Sequence, residues 1–291
     1  MIFDTHAHYD DEAFGADRAE VLSGLAGRGV GAVTDAASTY ASLAEVAKIV
    51  RDWPFVFGAY GIHPEEIGGV PDRPACADPE RPDERTPARP DCGMPDWLIS
   101  ELRSYLRSPG AVAVGEIGLD YHWNKDDRKR QILWFETQIG IAREEHLPVV
   151  IHSRDAAKDT METARRLRLG EVGGVMHCYS YSLEMAKEYL DMGLYLGVGG
   201  VATFKNARHL KEVVKYAPLS GIVLETDCPY LAPEPHRGTR NDSGNLRYVA
   251  RAVAEIKGVS PDEVISATWE NALKLYRINP EDLQICQASS R

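Results

Sequence analysis

Short apolar runs alternate with longer amphipathic segments along most of the chain, and this alternation restricts the fold more than any other feature. The apolar runs are β-branched and of strand length, at residues 1–4, 29–36, 55–63, 111–119, 147–153, 173–179, 194–200 and 221–227. Segments with helical periodicity occupy residues 17–28, 40–51, 97–107, 127–145, 156–168, 183–192, 206–216 and 244–257. Continuously apolar strands indicate a parallel sheet covered on both faces. Eight such strands alternating with about eight helices in 291 residues predict an α/β fold, the (β/α)8 TIM barrel. A doubly wound open sheet is the alternative, although no glycine-rich phosphate loop follows the first strand.

One segment, residues 64–95, interrupts the alternation. It holds eight of the 17 prolines and almost no large apolar residues, so we expect it to form neither a helix nor part of a core. We interpret it as a long, mobile loop excursion after the third strand, with a lid over the site as the alternative. The sequence as a whole predicts a single barrel domain over residues 1–278, which includes this excursion, and a frayed C-terminal tail at 279–291. A capped amphipathic helix at 260–276 is expected to pack on the outside of the barrel.

Charge and cysteine content exclude several classes of protein. The net charge of −11 argues against a broad basic surface that grips duplex DNA nonspecifically. A phosphate-bearing substrate stays compatible with it, because bound metal ions add positive charge. Five widely spaced cysteines without CxxC pairs indicate free thiols in a reducing compartment. No segment resembles a signal peptide or a membrane span, so we expect a cytoplasmic monomer or weak oligomer without membrane contact.

Residues that can bind metal ions stand at the ends of six of the eight predicted strands. They are His6 and His8 on the first strand, His63 on the third, Glu116 on the fourth, His152 on the fifth, His177 on the sixth and Asp227 on the eighth. In a barrel these strand ends form one rim, where active sites are built. A single histidine at a strand end is more often a hydrogen-bonded loop residue. Seven such side chains on one rim predict a metal centre instead, and the i, i+2 spacing of His6 and His8 directs both rings to one side.

The ligand types and their number predict two ions. Imidazoles and carboxylates without thiolates suit Zn²⁺, Mn²⁺, Fe or Co²⁺, and Mg²⁺ where carboxylate and water dominate. The number of these ligands exceeds what one catalytic ion takes from protein. We therefore predict two divalent ions per chain. Ions about 3.5–4 Å apart need a shared anionic ligand, and Glu116, midway around the rim, is the predicted bridge. Asp227, beside the first strand, is predicted to bind the first ion and to act as general base toward the attacking water.

Six blocks of sequence resemble the signature blocks of the TatD-type metal-dependent deoxyribonucleases, a family within the wider amidohydrolase-type barrel hydrolases. In chain order they are "DTHAH", "GIHP", "GEIGLDY", "LPVVIHSRDA", "HCYSYS" and "LETDCPYLAPEPHRGTRN". They extend over roughly residues 1–276, nearly the whole chain. The resemblance implies a (β/α)8 barrel with a two-metal site that hydrolyses DNA phosphodiesters. It also implies the metal ligands His6, His8, Glu116, His152, His177 and Asp227, the last of which is the candidate base.

Three further positions are expected to act on substrate. His63 in "GIHP" matches a family position close to substrate, and we favour phosphate contact over metal ligation. Arg154 follows the ligand of the fifth strand, where its fork of donors suits a scissile phosphate. Glu225 shares a side of the eighth strand with Asp227; orienting water or ligands and forming a buried structural ion pair are both open. Asp120, in the "LDY" motif, either orders its loop or contacts substrate.

The favoured function is a deoxyribonuclease that acts on single-stranded ends, because a barrel mouth admits one strand but not a rigid duplex. The alternatives are a hydrolase of esters or amides, such as an aminoacyl-tRNA deacylase, and a non-catalytic metal-binding protein. Many amidohydrolases have a bridging carbamylated lysine on strand four, and the presence of Glu116 there disfavours amide chemistry. Two departures from the family pattern, the missing proline after "RN" and the long 64–95 segment, leave the ligands unchanged and bear on the choice of substrate.

Overall fold

The structure is a computed structural model that describes residues 1–71, 93–123 and 127–283. Its strands are β1 (Ile2–Ala7), β2 (Val30–Ala36), β3 (Val56–Tyr60), β4 (Ala111–Asp120), β5 (Val149–Arg154), β6 (Gly174–Met176), β7 (Tyr195–Val198) and β8 (Ile222–Leu224). They pair in parallel, in sequence order, in one eight-stranded sheet. A parallel bridge between Ala7 and Cys228 links the last strand end to the first, so the barrel is nearly closed. The predicted (β/α)8 barrel is confirmed.

Helices follow the strands in the predicted order. They are α1 (Arg18–Gly24), α2 (Ser42–Asp52), α3 (Asp96–Leu106), α4 (Arg128–Glu144), α5 (Ala157–Arg166), α6 (Leu169–Val172), α7 (Leu183–Asp191), α8 (Arg208–Tyr216), α9 (Leu246–Lys257) and α10 (Pro261–Leu275). Where one helix was predicted at 17–28, α1 is followed by a separate 3-10 helix, Ala26–Arg28. The apolar faces of these helices bury Leu, Ile and Val side chains against the outside of the sheet.

The last helix, α10, closes the amino-terminal end of the barrel. Ser260 and Glu263 form a reciprocal capping box at its start, as predicted. Trp269 within α10 and Tyr276 just after it form a cluster with Phe3, and their ring centroids lie 5.8 and 5.9 Å from that of Phe3. The helix packs on the outside of the barrel, as predicted, and its aromatic residues also cover the end opposite the predicted rim.

The ends of the proline-rich segment are ordered. Pro64–Gly69 forms a 3-10 helix, and Ile67 and Met94 are buried in the core. The expectation that this segment forms no helix and buries nothing is wrong for these flanks, because a few apolar side chains suffice to anchor them. Residues 72–92, with Cys76 and Cys92, lie outside the described part of the chain, as do 284–291. The described part of the predicted tail, up to residue 283, includes a short 3-10 helix, Pro280–Asp282.

Several strands, among them β3, β6 and β8, are shorter than the apolar runs that predicted them. β6 and β8 have three residues each, so His177 and Asp227 lie just beyond the paired strand residues. Cys178 and Asp227 adopt positive φ angles of 46° and 58°, which turn the chain away from the sheet. The side chains of His177 and Asp227 still reach the rim. Within the described residues no helix is both long enough and apolar enough to cross a bilayer.

Candidate metal centre

The carboxyl ends of the strands surround an open cavity of about 840 Å³. Six of the seven predicted rim residues line it: His8, His63, Glu116, His152, His177 and Asp227. His6 is fully buried beneath them. The walls also carry the carboxylates of Asp10, Asp11, Glu65 and Glu66. Among the described lining residues Arg154 is the one lysine or arginine. A cavity so rich in carboxylates repels a phosphate group unless cations bind there.

His6 on β1 and His8, just beyond the end of that strand, direct their Nε2 atoms to one place, 3.0 Å apart. Nδ1 of His8 donates a hydrogen bond to the carbonyl oxygen of Ala36 at 2.8 Å, so in the neutral ring Nε2 carries the lone pair. Nδ1 of His6 has no hydrogen-bond partner among the described residues. The prediction that both rings point to one side is confirmed, and His8 has the orientation typical of a metal ligand.

Glu116 on β4 presents one oxygen to each of two imidazole pairs. Its Oε2 lies 3.4 Å from Nε2 of His6 and 3.6 Å from Nε2 of His8. Its Oε1 lies 3.0 Å from Nδ1 of His152 and 3.8 Å from Nε2 of His177. Burial alone would raise the pKa of this carboxyl, but the facing histidines, led by His177 and His6, hold the pKa well below its usual value. The ionised group has the arrangement that a bridging ligand requires.

A carboxylate stands behind each of the other two imidazoles. Nε2 of His152 donates to Oδ2 of Asp120 at 2.9 Å, and Nδ1 of His177 donates to Oε2 of Glu225 at 3.1 Å. Burial alone would lower the pKa of both rings, yet these carboxylates and Glu116 raise the pKa of His152 to about 9 and that of His177 well above its usual value. A carboxylate behind an imidazole fixes its orientation and increases its basicity as a ligand.

Two glycines allow the chain to pack closely behind His152 and His177. Gly118, between Glu116 and Asp120 on β4, has a φ of 147°, and a Cβ there would overlap the carbonyl oxygen of His152. A Cβ on Gly197 in β7 would collide with the carboxylate of Glu225. Gly118 and Gly197 are therefore required by the close packing behind His152 and His177.

Asp227 contacts imidazoles on both sides of Glu116. Its Oδ1 lies 3.4 Å from Nε2 of His8 and 3.5 Å from Nε2 of His177. Burial would raise the pKa of this carboxyl, but His177 and His8 keep it below its usual value. The preceding Thr226 is anchored to Asp4 of β1, donating through its backbone N–H at 2.9 Å and through Oγ1 at 2.6 Å. An ionised carboxylate is thus held at the centre of the site.

His63 reaches the site as a hydrogen-bond donor. Its Nδ1 accepts the backbone N–H of Glu65 at 3.2 Å, while its Nε2 lies 3.7 Å from Oε1 of Glu116. Burial and the charge of His152 lower the pKa of His63 to about 3, so the ring is neutral and its proton is on Nε2. A protonated Nε2 cannot bind a metal ion. The geometry therefore supports the expectation of phosphate contact.

Glu225 does not occupy a substrate-binding position. Its side chain is 1% exposed, and its oxygens accept from Nδ1 of His177 and from the backbone N–H of Cys178. The substrate-binding assignment is wrong, because the carboxylate lies behind the ligand and away from the cavity; the open alternative, orientation of a ligand, fits these contacts. Arg154 does line the cavity, at the end of β5.

Sequence reasoning gave Asp120 part of its role and gave Trp123 none. Loop ordering by Asp120 is confirmed, because its Oδ1 accepts backbone N–H groups of the following loop; the orientation of His152 by its Oδ2 was not predicted. The i, i+4 spacing from Glu116 along β4 was the signal that both side chains share a face. Trp123, on that loop, lines the cavity and received no role.

The donor set fits divalent metal ions. Within each of two groups the ligand atoms lie within 4.8 Å of one another: His6, His8 and Asp227; and His6, Glu116 and His177. A third group of the same size joins Glu116 and His152 to His63, whose Nε2 carries a proton and would contact a ligand as a donor. A fourth group joins Cys178 to His177 and Glu225. Within it Nδ1 of His177 already donates to Glu225. Imidazole nitrogens and carboxylate oxygens that converge in this way suit Zn²⁺ or Mn²⁺, and Mg²⁺ with additional water.

Comparisons with known proteins agree with this site. The family described as TatD related DNase matches residues 3–277. The chain is 36% identical over 279 residues to YabD of Bacillus subtilis, an uncharacterized metal-dependent hydrolase, covering 96% of this chain and all of that protein. It is 32% identical to YcfH of Escherichia coli, also an uncharacterized metal-dependent hydrolase, over 98% of both chains. The crystal structure of the TatD homologue YjjV from Escherichia coli superposes with a TM-score of 0.82, at 27% identity, over 96% of this chain and 98% of that one. This chain therefore belongs to the TatD family of metal-dependent hydrolases.

Proposed function

We propose that this protein is a deoxyribonuclease that hydrolyses phosphodiester bonds at single-stranded DNA ends with two divalent ions. The observation that carries the proposal is the position of Glu116. One of its oxygens faces His6 and His8, and the other faces His152 and His177. One carboxylate between two sets of imidazoles is the arrangement expected of a two-metal hydrolase.

Six residues would hold the ions. His6, His8 and Asp227 would form one position, His152 and His177 the other, and Glu116 would belong to both. When bound, the ions would polarise phosphoryl oxygens and lower the pKa of water toward neutrality. The many carboxylates of the cavity support this assignment, since they need neutralisation before an anionic substrate can enter.

The residues of the chain supply the remaining parts of the reaction. Asp227, ionised and central, accepts a proton from the attacking water. His63 donates its Nε2 proton in a hydrogen bond to a phosphoryl oxygen, and Arg154 adds positive charge at the cavity wall. Glu225 and Asp120 act as positioning residues through His177 and His152.

The family description, TatD related DNase, supports DNA as the substrate. A single strand can bend into an open mouth of this size, whereas a duplex is too rigid to reach a buried centre. Action as a monomer or weak oligomer and location in the cytoplasm stay predictions from the sequence.

A substrate panel tests this function. The protein is incubated with a labelled single-stranded oligonucleotide, the matching duplex, carboxylic esters, amides and an aminoacyl-tRNA, with Mn²⁺ or with a chelator. We expect shortening of the single strand that requires Mn²⁺ and is slower on the duplex. Hydrolysis of an ester or amide with intact oligonucleotides would contradict the proposal.

A further inference from the structure

Trp123 is a large aromatic residue left open at the mouth of the cavity. It lines the same cavity as His152, and 64% of its surface is exposed. The other four tryptophans of the chain, at positions 53, 97, 134 and 269, are buried or half-buried. An indole that remains this uncovered beside a catalytic cavity is available to a ligand.

Neighbouring side chains hold the indole in place. Arg154 Cζ lies 5.5 Å from its ring centroid, a cation–π contact, and the ring of His122 packs edge-on at 4.6 Å and 90°. Nδ1 of His122 is itself paired with Oδ2 of Asp155 at 3.1 Å. Arg154 therefore places its charge next to an aromatic surface on the cavity wall.

The carboxylate of Asp120 links the backbone of this loop to His152, a proposed metal ligand. Oδ1 of Asp120 accepts the backbone N–H of His122 at 2.8 Å and of Trp123 at 3.1 Å. Oδ2 of the same carboxylate accepts Nε2–H of His152 at 2.9 Å. One carboxylate thus separates the indole's backbone from the proposed centre, and this fixes the indole close beside it.

We propose that Trp123 and Arg154 form a base-stacking site, in which the indole stacks on a nucleobase next to the scissile phosphate while Arg154 contacts a backbone phosphate. The site deepens the proposed nuclease function and rests on it. Stacking on an aromatic ring binds any base, and only an unpaired base exposes its face. The site would therefore favour single strands without selecting a sequence.

Charge supports a nucleotide over other ligands of an exposed indole. Toward β1 the cavity wall carries Asp10 and Asp11, whereas Arg154, the one lysine or arginine among the described lining residues, lies beside Trp123. An anionic chain is repelled by the first sector and attracted to the second. A sugar ring would also stack on indole, but it would gain nothing from the arginine.

Binding is measured separately from hydrolysis. All variants are made in the Asp227→Asn background with Mg²⁺, and anisotropy gives the Kd of a single-stranded oligonucleotide and of the same strand lacking its terminal bases. We expect the base-bearing strand to bind about tenfold more tightly. Trp123→Ala should abolish this preference, and Trp123→Phe should retain most of it. The base-bearing strand should also protect tryptophan fluorescence from acrylamide, because Trp123 is the exposed tryptophan.

Tyr216 provides a matched control. It is 53% exposed at the end of α8, with Lys187 Nζ 5.0 Å from its ring centroid, and it does not line the cavity. Tyr216→Ala should leave the base preference unchanged. Equal binding of both strands, or a preference that survives Trp123→Ala, would overturn the base-stacking site even if the enzyme cleaves DNA. A Trp123-dependent preference without hydrolysis by the unmodified protein would support the site and contradict the proposed nuclease function.

Discussion

The two halves of the rim hold their imidazoles by different means. On the β5–β6 side, His152 and His177 each donate to a carboxylate, Asp120 and Glu225. On the β1 side, His8 donates to the neutral carbonyl oxygen of Ala36, and Nδ1 of His6 has no partner among the described residues. A carboxylate behind an imidazole strengthens it as a ligand, while a carbonyl only orients it.

The β1 side gains its rigidity instead from a buried carboxylate that anchors the strand. Asp4 accepts hydrogen bonds from the N–H and Oγ1 of Thr226 and from Oγ of Ser243, which ties β1 to the residue before Asp227. The comparison teaches that one half is set by charge and the other by strand anchoring. The β5–β6 position should consequently bind its ion more tightly.

The largest expected effect comes from Asp227, which contacts histidines of both halves. Asp227→Asn keeps the size and one ligand oxygen but removes the base and a negative charge. Turnover of an oligonucleotide should fall by about 10²–10⁴-fold at saturating metal, while circular dichroism stays unchanged. Asp191→Asn, at the exposed end of α7, serves as control and should keep full activity. Near-normal turnover in metal-saturated Asp227→Asn would refute the assignment as base.

Glu116 joins the two halves, so its loss should separate them. The reconstituted protein should approach two ions per chain by elemental analysis, because each oxygen of Glu116 serves one half. Glu116→Ala should lose one of the two binding steps. Unchanged stoichiometry in this variant would exclude the bridging role.

Glu225→Gln tests the charge behind His177 without changing its size. One metal-binding step should weaken by about 10–100-fold in calorimetric titration, and the other should be unaffected. Glu162→Gln, on the exposed surface of α5, removes a carboxylate whose ion-pair partner within the described residues is Lys158, and it should change neither step. If both steps weakened equally in Glu225→Gln, the two halves would not be independent.

The barrel and six rim positions were predictable because both depend on local patterns. Apolar runs identify the strands, and a parallel barrel collects their ends whatever the details of packing. The turns beyond β6 and β8 were not predictable, since the positive φ angles of Cys178 and Asp227 arise from tertiary contacts. Neither a glycine nor a proline separates the last paired residues, Met176 and Leu224, from Tyr179 and Asp227, so the sequence alone predicts longer strands.

The roles of Glu225 and Asp120 depend on contacts between residues of different strands, which no single segment displays. Glu225 has the same sequence context as a cavity residue, two positions before Asp227, but its side chain fills the space above Gly197 on β7. The exposure of Trp123 likewise depends on which side chains happen to cover it. Alternation along a strand predicts the side on which a residue lies, and not its partner.

The smallest expected effect concerns the strand anchor of the β1 half. Thr226→Val preserves shape but removes the hydroxyl that donates to Oδ2 of the buried Asp4. The free energy of unfolding of the metal-free protein should fall by about 1–3 kcal/mol, measured by urea denaturation, because a buried acceptor loses a donor. Metal affinity of the β5–β6 position should be unchanged, since no charge near His152 or His177 is altered. Thr268→Val in α10 is the control: its hydroxyl donates to a carbonyl within its own helix, so its loss leaves no carboxylate short of a donor and should cost less. Weakened metal binding with unchanged stability in Thr226→Val would show that the anchor tunes the ligands electrostatically, and the contrast between the two halves would no longer hold.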